Sequence, residues 1–132
     1  MALTIKLAAA GAVAFMVLDG VWLGLLMKNF YREQLGPIVR LSDGAIAPNW
    51  PAALVVYVLL GTGLALFVVP RAETVSAAAA FGALFGLVVY GVYDFTNYST
   101  LRQWPFVLTL ADTAWGVLAS AAAAAAMRIM AR

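Results

Sequence analysis

Four apolar runs, each close to the roughly 20 residues an α-helix needs to cross a bilayer, dominate this chain and leave little room for any other fold. They cover residues 7–27, 52–69, 75–94 and 105–127. A water-soluble domain of 132 residues could not hide a sequence that is 65% hydrophobic and only 11% charged. Inside a bilayer every backbone polar group must be satisfied within its own span, so helices are required. The expectation is an all-α, integral membrane four-helix bundle forming a single domain over residues 1–132. A signal peptide is the competing reading of the first run, because Lys6 precedes it. Apolarity continues past Asp19 to Met27 with no clear small-residue cleavage site, which favours a retained helix.

The links between the runs fix the topology. Pro51 and Pro105 suit a first helical turn, where a missing N–H costs nothing. Trp50, Trp104, Tyr31 and Tyr98 fall near span ends, the position of interfacial aromatic belts. Four spans put both termini on one side with the short link at residues 70–74; the other side carries the Lys28–Asn49 loop and the link at residues 95–104. Phe30, Tyr31, Leu35, Ile38, Val39 and Leu41 interleave with Arg32, Glu33 and Arg40, a pattern expected of a segment lying on the membrane surface. Gly36-Pro37 interrupts that segment and Asp43-Gly44 marks a turn. Lys6, Arg71, Arg128 and Arg132 on the terminal side balance Lys28, Arg32, Arg40 and Arg102 on the loop side, so the positive-inside rule assigns no orientation.

Several function classes drop out. The chain has no cysteine and no histidine, which removes thiolate metal sites, disulfides, the usual zinc and haem ligands, and every histidine-based triad. A net charge of +2, thinly scattered, does not suit nucleic acid. No phosphate loop or nucleophile–base pair is legible, no cofactor is called for, and whether the chain is an enzyme stays open.

What remains is polar chemistry inside the spans. Asp19, Asp94 and Asp112 lie within or at the edge of the apolar runs, where a mid-bilayer carboxylate costs about 2.5–3.5 kcal/mol and marks a functional site by default. At about 1.5 Å rise per residue, Asp19 sits roughly 12 Å and Asp112 roughly 10 Å below the loop-side surface. Tyr57 reaches similar depth on the second span. Tyr90, Tyr93, Asp94 and Asn97 form one stripe of the third, continued by Ala78, Gly82 and Gly86, a small-residue face suited to close helix approach. Asp19 and Asp112 each stand three residues before a tryptophan, Trp22 and Trp115. Because the two helices run oppositely, Trp22 is expected toward the mouth and Trp115 toward the bilayer centre. Arg102 is the only nearby cation and cannot neutralise three carboxylates, so at least one is expected to be protonated or solvated. The expectation is one loop-side cluster of Asp19, Trp22, Tyr57, Tyr90, Tyr93, Asp94, Asn97, Asp112 and Trp115. A hard-cation site built from the acids is the weaker alternative, and no metal is assigned.

The chain also resembles a known family. Leu18-Asp-Gly-Val-Trp-Leu-Gly24, Phe30-Tyr31-Arg32 with Leu35-Gly36, Gly82-Ala-Leu-Phe-Gly86, Tyr90 with Tyr93-Asp94-Phe-Thr-Asn97, Trp104-Pro105, and Asp112 with Trp115-Gly116 together resemble the bacterial membrane proteins grouped as domain of unknown function 2177. The resemblance implies a four-helix, multi-pass protein of the bacterial inner membrane and carries no activity with it. Three functions fit the polar half. One is binding or modifying a lipidic or isoprenoid-like amphipathic small molecule in a one-sided pocket. The second is proton-coupled transport of a small molecule. The third is service as an accessory subunit of a larger membrane complex. Membrane lipid is the expected surrounding partner, and a homo-oligomer is compatible with the small-residue faces.

Overall fold

The computed structural model describes all residues, 1–132, and shows four long apolar helices in a bundle. The first, α1 (Ala2–Val21), continues to Leu26 through a widened turn. A short helix α2 (Lys28–Leu35) follows, then a hairpin of β1 (Leu41–Ser42) and β2 (Ala45–Ile46). Three long helices complete the chain: α3 (Trp50–Gly63), continued by tighter and wider turns to Arg71, α4 (Val75–Thr100) and α5 (Phe106–Met130). The spans hold 25, 22, 26 and 25 residues, each long enough to cross a hydrocarbon core of about 30 Å. Only 24 of the 132 residues are buried, so the leucines, valines and phenylalanines of the outer faces have lipid as their only suitable solvent.

The ends of these helices follow from capping chemistry. The Asn49 side chain accepts from the Ala52 N–H at 3.2 Å, with Pro51 in the first turn of α3. Thr74 does the same for Ala77 at 3.1 Å, starting α4. Pro105 stands just outside α5, which begins at Phe106. The third span outruns the hydropathy limit at residue 94. The hydroxyls of Ser99 and Thr100 both donate back to the Thr96 carbonyl at 2.8 Å, so polar residues continue the helix while satisfying themselves on its own backbone. The loop between the first two spans contains more order than alternation alone predicts. Asp43 and Gly44 both take positive φ, 50° and 76°, and close the hairpin in the manner of a primed two-residue turn.

Packing is tight at the terminal side and loose at the loop side. α4 and α5 run against each other along their length. A Cβ on Gly86 would collide with the Gly116 carbonyl oxygen, and one on Gly82 would lie 2.5 Å from the Ser120 carbonyl oxygen. α1 pairs with α3 through Gly61, where a Cβ would collide with the Ala8 carbonyl. α1 also touches α5, whereas α3 meets α4 mainly through its last turns, Leu64–Val68. Phe15, Leu64 and Met127 are fully buried at the centre of this closed half, with Ala119, Ala123 and Ala124 around them. The larger aromatic residues toward the other end hold the helices apart.

An acid- and tryptophan-lined cavity

The loop-side half forms a partly open cavity of about 400 Å³. Twelve of its fourteen lining residues are hydrophobic; the other two are Asp19 and Asp112. Tyr90, Tyr93, Trp115 and Leu108 form part of its wall, Leu60 lies toward the core, and Tyr31 and Leu35 of α2 line it from the loop side. Those last two are four residues apart, so they share one face of α2.

Two reciprocal links organise the polar wall. The Trp115 indole N–H donates to Asp19 Oδ1 at 2.8 Å, joining α5 to α1. In the other direction the Trp22 indole N–H donates to the Tyr31 hydroxyl at 2.9 Å, which in turn donates to Asp112 Oδ1 at 2.5 Å. Each Asp-x-x-Trp segment therefore serves the carboxylate of the other, once directly and once through Tyr31. Between them the indoles of Trp22 and Trp115 stack with parallel planes and centroids 4.4 Å apart. This corrects the expectation that the two rings point to different depths. Side chains on a helix lean toward its N-terminus, so Trp22 leans inward from the mouth, Trp115 leans outward from the centre, and the rings meet. The α1 helix widens to an i→i+5 bond, Met27 N–H to the Trp22 carbonyl at 2.7 Å, beginning at the residue that makes the stack.

The other acid lies behind this wall. Asp94 is completely buried, beside the Asp112 carboxyl and the Thr113 hydroxyl. Neither Asp94 oxygen nor Thr113 Oγ1 has a hydrogen-bond partner at bonding geometry. Ionised carboxyl groups only accept, so a direct bond between Asp94 and Asp112 requires a proton on one of them. Tyr57 stands beside Asp19 without lining the cavity, and Asn97 lies one turn beyond Tyr93, also outside the lining. Asp19 and Asp112 therefore share the polar wall, with Asp94 behind Asp112, and the three do not converge as a metal-ligand group.

Two lining residues have roles different from their sequence reading. Trp104, an expected belt residue, lines the cavity with its ring edge-to-face on Tyr93 at 5.8 Å. Tyr31, also assigned to a belt, is the hub of the Trp22–Asp112 link and is 5% exposed. Burial and then the adjacent Asp112 charge push its hydroxyl above the ordinary tyrosine range, so it stays a donor at any physiological pH. The signal for Tyr31 is the Phe30-Tyr31-Arg32 motif, which lies outside the apolar runs.

Comparison with curated proteins and with solved structures finds no match. A family model described as predicted membrane protein, DUF2177, matches residues 4–129, nearly the whole chain, and so covers every element of the cavity. The chain belongs to the DUF2177 family of predicted membrane proteins.

Proposed function

We propose that this multi-pass membrane protein, in the inner membrane of a bacterium, binds the apolar portion of a lipidic or isoprenoid-like amphiphile in the loop-side cavity. The observation that carries this reading is the cavity itself: about 400 Å³, within the usual range for small-molecule sites, apolar on nearly all sides, with Asp19 and Asp112 held in fixed positions on its wall. The indoles of Trp104 and Trp115 and the rings of Tyr90 and Tyr93 give a chain or polyene an aromatic surface to lie on. The two carboxyl groups supply acceptors for a hydroxyl or amine along its length. Of the nine residues singled out by sequence, Asp19, Tyr90, Tyr93, Asp112 and Trp115 contact the ligand in this reading. Trp22, Tyr57, Asp94 and Asn97 position them.

Native mass spectrometry of gently solubilised protein tests the proposal. The wild type is expected to retain an amphiphile, and Val56→Phe, which adds bulk at the cavity wall on a half-exposed residue, to lose it while keeping its helical content. Retention unchanged by the filling variant would overturn the reading. A second reading, proton-coupled exchange, is favoured by one observation. The Asp94–Asp112 pair adjoins the cavity with Thr113 and Tyr31 as its polar neighbours, and such a pair takes up and releases protons as a unit.

A further inference from the structure

A second recess, of about 260 Å³, opens on the loop-side surface between α2 and the hairpin. It differs from the cavity in chemistry. Lys28, Asn29 and Arg32 line one side and Asp43, Gly44 and Ala45 the other, so two cations face one carboxylate. The two spaces share Leu23 and Ile46 as lining residues and are therefore neighbours through those side chains. The short helix α2 divides its faces between them. Tyr31 and Leu35 turn into the apolar cavity, while Lys28 and Arg32, also four residues apart, turn into the recess. Arg32 donates one N–H to the Gly44 carbonyl at 3.1 Å, which fixes its guanidinium against the hairpin and leaves its other N–H groups free.

The geometry points to a headgroup seat: the recess holds the negatively charged group, a phosphate or its equivalent, of an amphiphile whose chain occupies the cavity. This rests on the chain-binding reading above and adds the ligand's charge. Asp19 and Asp112 are the cavity's acidic side chains and no basic one lines it, so it disfavours an anion, whereas the recess carries the cations and the amide donor of Asn29. An anionic amphiphile can satisfy both only in one direction, head at the surface and chain inward. Arg40, on the same loop but not lining the recess, provides a control for general surface charge.

The test is competitive lipid retention by native mass spectrometry, using phosphatidylglycerol and phosphatidylcholine with identical chains, and inorganic phosphate as a separate arm. The wild type is expected to prefer phosphatidylglycerol. Lys28→Gln and Arg32→Gln are each expected to reduce that preference about ten-fold or more, the effect of losing one direct hydrogen bond to a charged group. Asp43→Asn, which keeps a residue tolerant of positive φ, should raise it. Arg40→Gln should leave it unchanged. Loss of preference in Arg40→Gln equal to that in Lys28→Gln would overturn the seat in favour of diffuse attraction. Displacement of the lipid by millimolar inorganic phosphate would overturn it in favour of a free-anion site. Equal retention of both lipids would overturn the seat while leaving the cavity reading intact, and retention of neither would remove both.

Discussion

Replacing Tyr31 by phenylalanine removes a single oxygen and breaks two of the three hydrogen bonds that tie the cavity wall together. The bond to Trp22 is between neutral groups, worth about 0.5–1.5 kcal/mol, and the short bond to Asp112, where that group is ionised, about 1.5–3 kcal/mol. Tyr31→Phe is therefore expected to cost about 2–4 kcal/mol, with the phenyl ring still filling the same space. Much of the loss comes from orphaning the Trp22 N–H and an Asp112 oxygen in a site with few alternative donors. Trp22→Phe separates the parts. Once the indole N–H is gone, removing the Tyr31 hydroxyl no longer orphans it, so the double variant should be about 1 kcal/mol more stable than the sum of the single losses. The assay is reversible unfolding in detergent or bilayer discs, monitored by far-UV circular dichroism. A Tyr31→Phe loss below about 0.5 kcal/mol, or additivity within the same margin, would refute the linked wall.

Gly86→Ala should destabilise the bundle by about 1–3 kcal/mol, because its Cβ meets the Gly116 backbone, whereas Gly20→Ala, with nothing within 4 Å, should be neutral or stabilising in the same melts. Asp112→Asn keeps the shape and an acceptor but removes ionisation; the fold should survive with a small loss while amphiphile retention falls, and retention at the wild-type level would assign the residue to packing alone. Tyr31 has a folded value raised above its unfolded one, so its stabilising contribution is complete below the ordinary tyrosine range near 10 and is lost as pH rises above it. Tyrosinate absorbance of wild type and Tyr31→Phe should accordingly coincide through that range, where an unperturbed tyrosine would already ionise, and an excess in the wild type there would contradict a buried Tyr31.

The bundle was legible because apolar length is a strong signal: no residue pattern other than a membrane span accommodates four such runs. Asp19 and Asp112 were legible for the same reason, since carboxyl groups in lipid need a shared interior. The end of α4 was not, because hydropathy falls at Asp94 while local hydroxyl-to-carbonyl bonds carry the helix to Thr100. The tryptophan stack was hidden from residue counting, which records the depth of each Cα and not the lean of the side chain. Tyr31, Leu35 and Ile46 reach the cavity from outside the spans, and only the tertiary placement of the loop reveals it. The burial of Asp94 beside Asp112 is likewise a tertiary result, since α4 and α5 stay in contact along their length at a spacing that Gly86 and Gly116 permit.

The most direct test of the cavity as a binding site is photolabelling with an amphiphile carrying a photoreactive group near the end of its chain, followed by peptide mapping. The account predicts labelling of Trp115, Tyr90 or Leu60 that saturates and is competed by excess unlabelled amphiphile, against a non-saturable background on lipid-facing residues such as Val92 and Leu118. Labelling confined to the outer faces, or cavity labelling that excess amphiphile does not reduce, would contradict it.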